Sequence, residues 1–198
     1  MLKKIALAVV AVLVILVGVI AMQPSEFSLQ RSATIAAPPA TVFPLVNDFH
    51  NWEKWSPWAK LDPAMKTTYD GPASGKDASY AWVGNSQVGE GKMTILESTP
   101  DKRIELRLEF IKPFAAVNGT EFLFEPDGAG TKVTWTMTGK NGFVSKAFGL
   151  LMDMDKMVGG DFEKGLAQMK VAAESAESTS PAPSETPVAA PTEQAPAQ

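Results

Sequence analysis

His50 is the single histidine of the 198-residue chain, and cysteine is absent. Those two counts remove thiol nucleophiles, disulfides, thiolate and multi-histidine metal sites, and any histidine-based triad that does not use His50. A histidine in a loop beside a tryptophan cluster is more often structural than catalytic. Acid–base chemistry needs titratable groups that converge on a pocket. Period-two alternation sends most of the strand charges the other way: Glu105, Arg107, Glu109, Glu121, Glu125 and Lys132 fall on outward faces and read as a solvated ion ladder. Three polar residues share the inward faces: Arg31, Asn118 and Thr120. Arg31 has two readings, an exception at a strand edge or a cation facing a cavity. Glu90 and Lys92 take no face, because Gly89 and Gly91 blur the register. Asn118-Gly119-Thr120 also matches a glycosylation sequon, for which chance is the better account inside a strand. There is no phosphate loop and no metal-ligand spacing. No catalytic residue, metal site or cofactor is therefore assigned; turnover, if any, would depend on Arg31, His50 or Asn118.

What the inward faces hold in quantity is large, soft, apolar side chains. Tyr80, Trp82, Met93, Phe110, Phe122, Phe124, Trp135 and Met137 fall on strands, and Leu151, Met154 and Met157 on the last helix. Each alone reads as ordinary core. Together, between one sheet and one helix, they are candidates to line a hydrophobic cavity, and methionine suits adaptable apolar sites. The run His50 to Trp58 carries three of the five tryptophans. It reads as a plug sealing one end of the fold, or as an aromatic lid with Trp55 and Trp58 on the ligand's path. Phe114, beside Pro113 on a turn, is a second rim candidate, of a type that favours lipid headgroups.

These residues need elements to hold them. Phe27, Leu29, Ala33 and Ile35 alternate with polar neighbours as a first strand. Pro38 and Pro39 open a helix, which Pro44 must kink or cut short. From Met65, strands are broken at Asp70–Pro72, Gly84–Ser86, Pro100–Asp101, Lys112–Pro113 and Asp127–Gly130. Between the breaks, Ile104, Leu106, Leu108 and Phe110 oppose Glu105, Arg107 and Glu109; Asn118, Thr120, Phe122 and Phe124 oppose Glu121, Leu123 and Glu125. One wet face and one buried face mark an antiparallel sheet covered on one side. The cover is a helical stripe through Val144–Val171: Ala147, Leu151, Met154, Val158, Phe162, Leu166 and Met169. Asp153 is placed to cap a helix there, after a shorter one, and Gly159-Gly160 weakens its middle.

The order of elements resembles the helix-grip fold, and the residues resemble the polyketide cyclase/dehydrase family of the START (SRPBCC) superfamily. Ile35-Ala36-Ala37-Pro38-Pro39-Ala40-Thr41-Val42-Phe43 is similar to the family's I-x-A-P-x-x-V-[FW] opening. Asn47 to Trp58 is similar to its D-[FL]-x-x-[WY]-x-x-W-[SN]-P-[WF] segment. Gly119-Thr120 with Phe122, Gly130 to Trp135, and Asp161 to Ala167 complete the likeness over residues 27–173. The resemblance implies an α+β fold, a curved antiparallel sheet of about seven strands around a long C-terminal helix, with a deep hydrophobic cavity between them. It also implies relatives that bind lipids, sterols, polyketides or other apolar ligands, some acting as aromatase/cyclases and some activating a chaperone partner. Fold alone does not choose among these.

Outside that domain lie two unlike flanks. Ile5 to Met22 carries no charge and, at ~1.5 Å per residue, reaches about 27 Å as a helix, close to the ~30 Å hydrocarbon layer. Its apolar run exceeds a signal-peptide core, so residues 1–24 read as a retained anchor in preference to a cleaved signal. Lys3 and Lys4 place the N-terminus in the cytoplasm and the domain outside, which is the periplasm in a Gram-negative cell. Residues 174–198, with four Glu and a mix of Ala, Pro, Ser and Thr, read as a disordered tail. With a net charge of −4 and no basic stripe, nucleic acid is excluded as a partner. Gln23–Glu26, at most about 14 Å long, ties residues 25–173 to the membrane. The expected function is membrane-anchored binding of a hydrophobic small molecule or lipid. The alternatives are a protein-partner regulator and a cyclase/aromatase-type enzyme.

Overall fold

The computed structural model describes residues 1–150 and 153–179, the side chains of Met154 and Thr179 excepted. The alternating segments close into one seven-stranded antiparallel sheet: β1 (Glu26–Ile35), β2 (Lys66–Asp70), β3 (Ser79–Val83), β4 (Glu90–Thr99), β5 (Arg103–Lys112), β6 (Ala116–Asp127) and β7 (Gly130–Lys140). Their order across the sheet is β1-β7-β6-β5-β4-β3-β2. Every break expected between Asp70 and Gly130 separates two consecutive strands. The register shifts at Glu90/Gly91 and again at Ile95/Glu97, so the two glycines that obscure the alternation do sit at an irregularity.

Pro44 divides the first helical segment. Its missing N–H leaves α2 (Pro39–Val42) and α3 (Pro44–Asn47) one turn each. A 3-10 helix, Phe49–Lys54, follows, begun by Asp48, whose carboxylate accepts from the His50 N–H at 2.9 Å. The long C-terminal stripe is also divided, into α4 (Phe143–Gly149) and α5 (Met154–Thr179). The apolar face of α5 buries Phe162, Leu166, Met169 and Ala173 against the sheet. Asp153 begins α5, accepting from the Lys156 N–H at 3.1 Å.

The expected tail boundary moves. Helix α5 runs past Ala173 to Thr179, because its end is tied to the start of the domain. The Glu174 carboxylate accepts from the Ala36 N–H at 2.8 Å and from Lys170 at 2.7 Å, and Glu177 accepts from the Thr41 hydroxyl at 2.9 Å. The hydrogen bond from Lys170, with that from Ala36, holds the Glu174 carboxyl below the usual carboxylate range. Residues 180–198, the rest of the expected tail, lie outside the described residues.

At the other end, α1 (Leu2–Met22) is a 21-residue apolar helix. Three residues separate it from β1, which begins at Glu26, one position earlier than the alternation suggests. The chain has the α+β helix-grip architecture: a curved sheet, a long C-terminal helix, and one N-terminal apolar helix.

Candidate functional site

A single curved sheet and one helix cannot close on each other along their whole length. Along the part of α5 that holds Leu166, Met169 and Ala173 they pack solidly. Toward β3–β5 and α4 they diverge, and a cavity of about 1960 Å³ opens between them. Its floor is the concave face of the sheet: Tyr80 and Trp82 from β3, Met93 from β4, Leu108 and Phe110 from β5, Asn118 and Thr120 from β6, Trp135 and Met137 from β7. None of these floor residues is charged.

Local chemistry explains the floor. Trp82 lies flat across Gly91, the residue opposite it on β4. Its indole N–H donates to the Val88 carbonyl at 3.0 Å. Tyr80 stacks on Trp82 at 5.8 Å and on Phe49 at 5.8 Å. Burial pushes the Tyr80 phenol up to about 12 and also raises Tyr69, so both stay neutral hydrogen-bonding groups. Asn118 donates to the Met137 sulfur at 3.8 Å, a weak acceptor. The Thr120 hydroxyl and the Trp135 indole N–H are buried without a partner among the described residues.

The tryptophan run divides between its two readings. Trp52 and Trp55 are buried, and their indoles donate to the Val46 and Leu45 carbonyls at 3.0 and 2.7 Å. They form a plug, edge-on to Phe122. Trp58 lies on the cavity wall, edge-on to Trp135 and Phe162. Of the candidates named from sequence, Trp58, Tyr80, Trp82, Phe110, Phe114, Trp135, Met137, Met157, Asn118 and Thr120 come together around the cavity. Trp55, Phe122 and Phe124 belong instead to the closed core, at 2% exposure or less. Leu151 lies outside the described residues, and of Met154 only the backbone is described.

Arg31 takes neither of its expected roles in pure form. It starts from the inner face of the edge strand opposite Trp135, but its guanidinium reaches out to α5. There Nη2 donates to Asp155 Oδ2 and Nε to Glu163 Oε1, both at 2.8 Å. Gly159 leaves room for it: a Cβ there would lie 2.1 Å from Nη2. Arg31 is a clasp between β1 and α5, and the cavity wall does not include it. His50 is likewise outside the cavity, paired with Asp48 at 2.8 Å and stacked on Tyr69 at 4.0 Å. The outward carboxylates pair across the convex face, Arg103 with Glu105 and Glu121, Arg107 with Glu109, and Lys112 with Glu90. Among the described residues, no three metal-ligating side chains converge.

The mouth holds the residues that sequence reasoning passed over. Phe143, Val144, Phe148 and Leu150, on and just after α4, line it together with Phe114 at the β5–β6 turn. All five are 40 to 63% exposed. A signal was present: Phe143, Val144, Ala147 and Phe148 share one face of this short helix, yet none of them is buried. Met65, Tyr69, Val88 and Val158 add apolar wall, and charged side chains line the cavity as well, among them Glu26, Glu53, Lys60, Asp62, Asp155 and Asp161.

The family described as polyketide cyclase / dehydrase and lipid transport matches residues 26–174. No curated protein matches. Among solved structures, protein CV1439 from Chromobacterium violaceum has a TM-score of 0.54 at 15% identity, covering 77% of this chain and 99% of its own. A Rhizobium leguminosarum protein has a TM-score of 0.56 at 17% identity, covering 76% and 95%. The Aha1 dimer from Colwellia psychrerythraea has a TM-score of 0.54 at 15% identity, covering 75% and 96%. At these identities the likeness is one of fold.

Proposed function

The chain belongs to the polyketide cyclase / dehydrase and lipid transport family, and from that premise we propose that it holds a hydrophobic small molecule or lipid inside the domain while α1 keeps it at a membrane. The cavity carries this reading. Its ~1960 Å³ exceeds the ~300–1,000 Å³ typical of small-molecule pockets, which suits a long or bulky apolar guest. Its floor is aromatic and thioether surface with no charged side chain. Burial of apolar surface, at ~25 cal/mol per Å², then supplies the affinity. The neutral groups of Tyr80, Asn118 and Thr120 are left to orient whatever polar end the guest carries.

The retained-anchor reading rests on α1. Its 21 residues span about 31 Å at ~1.5 Å each, matching the hydrocarbon layer, and Lys3 and Lys4 set the domain on the outer side. The domain boundaries that fit are an anchor over residues 1–24 and a binding domain from residue 25 through the end of α5.

The test is native mass spectrometry of the full chain released from its own membranes. A co-purifying apolar guest is expected, and a fluorescent lipid added in excess should displace it. A full chain that repeatedly emerges empty and takes up no fluorescent lipid would refute cavity binding.

A further inference from the structure

The mouth of the cavity lies at the membrane end of the molecule. Helix α1 leans on α4 through its last turn: Ile20 is buried there, in a helix whose other apolar side chains are almost all exposed. The Lys146 ammonium of α4 donates to the Ala21 carbonyl at 3.4 Å and to the Ser25 hydroxyl at 2.9 Å. The linker is fastened too, with Asn141 donating from its backbone to the Ser25 carbonyl at 2.8 Å and from its side chain to the Pro24 carbonyl at 3.2 Å. These bonds fix α4 at the depth of residues 20–25, where a 21-residue span leaves the hydrocarbon.

At that depth the surface is apolar. Phe143, Val144, Phe148 and Leu150 stand exposed, and Phe114 joins them from the β5–β6 turn, its ring 6.2 Å from that of Phe148. Such a patch in water is a liability or an interaction site. Its occupant follows from its continuity with α1. The same bilayer that receives the helix lies against the patch, and Lys146 sits where a cation meets lipid headgroups.

We infer that the rim formed by α4, Leu150 and Phe114 inserts into the outer leaflet beside α1, so that the cavity opens into the acyl region and its guest is a membrane lipid that enters without crossing water. This rests on the reading of α1 as a retained span and on the cavity as a binding site. It adds which surface touches the bilayer, and the class of guest that such a portal admits.

The absence of cysteine allows single spin labels to be placed in the full chain without background. Phe114→Cys, Phe148→Cys and, on the convex face, Glu105→Cys are labelled and reconstituted in vesicles of phosphatidylcholine and phosphatidylglycerol. The labels at 114 and 148 are expected to be several-fold less accessible than that at 105 to a water-soluble nickel chelate, and more accessible to oxygen. Adding Val144→Asp to each labelled chain should return both rim labels to water, whereas Val144→Leu should leave them buried. Because Val144 is exposed, neither change threatens the fold. Rim labels as open to the chelate as the convex-face label would overturn the inference, and so would labels indifferent to Val144→Asp. The outcomes separate the two claims. Buried labels around an empty cavity support docking while refuting the ligand reading. Labels in water on a loaded chain refute docking alone.

Discussion

Gly91 has no side chain because the Trp82 ring occupies the place where one would go. A Cβ there would lie 2.4 Å from Trp82 Cζ2 and 2.6 Å from the Glu109 carbonyl oxygen. The ring can tilt, but the carbonyl belongs to the β4–β5 ladder and cannot withdraw. Gly91→Ala is therefore expected to cost ~1–3 kcal/mol, the usual penalty of overpacking, with a change in Trp82 emission. Denaturant unfolding followed by fluorescence reads both, and an unchanged midpoint would mean that the floor is softer than its packing implies. Tyr80 offers a pH test. Its phenol ionises near 10.0 when free and at about 12 in the folded chain, chiefly because burial disfavours the phenolate. The unfolded chain then loses this proton first, so the stabilisation is complete below pH 10 and is lost as pH rises toward 12. Phenolate absorbance should titrate later in the native than in the unfolded protein; coincident curves would contradict the burial. Neither feature was fully legible in the sequence. Alternation put Tyr80 and Trp82 on one face, but nothing in a linear pattern says that Gly91 is the seat of Trp82. Arg31 shows the same limit: its position on the apolar face was readable, whereas its partners lie 124 and 132 residues away on α5.

Helix α5 meets the sheet through a stack and a clasp, both in its first half. Phe162 lies parallel to Trp135 at 3.8 Å between centroids and is 2% exposed. Phe162→Ala removes a buried ring that borders the cavity and is expected to cost ~3–5 kcal/mol, measurable as a lowered unfolding midpoint. A much smaller loss would mean that the neighbouring tryptophans collapse into the gap. The clasp works differently. Arg31 bridges Asp155 and Glu163 near solvent, so Arg31→Gln should leave global stability little changed. It should speed amide exchange over the first turns of α5, next to the Gly159–Gly160 pair, and leave the Leu166–Ala173 segment protected. Uniform exchange along the helix would show that the first turns need no clasp. Period-two and helical patterns were enough to read the strands and the stripe of α5. They failed where another force sets the boundary. The extension to Thr179 depends on Glu174 and Glu177 bonding to Ala36 and Thr41, partners that a composition rich in Ala, Ser and Glu cannot reveal. The role of α4 was missed because its apolar residues answer to the cavity mouth and the end of α1, and both exist only after folding.

The position of the domain relative to its anchor gives the last prediction, which concerns rates. Three residues join α1 to β1, and Asn141 and Lys146 hydrogen-bond to residues 21–25. With α1 as the proposed membrane span, this geometry would hold the mouth against the bilayer, where a loose tether would leave it to diffuse. Inserting about twenty Gly and Ser residues after Pro24 would release it, since a flexible linker of n residues spreads over about 5–6 Å × √n and dilutes the mouth away from the surface. Of the cavity lining, Gln23, Pro24 and Glu26 lie beside the insertion, while the floor on β3–β7 would be untouched. The equilibrium amount of bound lipid should therefore stay close to that of the parent, while loading from radiolabelled vesicles slows several-fold. Val144→Asp should slow loading in the parent chain and add little to the slowing in the lengthened one, because both changes remove the same contact with the leaflet. A loading rate indifferent to linker length would mean that lipid reaches the cavity through water, and the apolar rim would then need another explanation. A large fall in equilibrium occupancy would mean that the guest depends on the wall contributed by Gln23 and Pro24 as well as on the placement of the mouth.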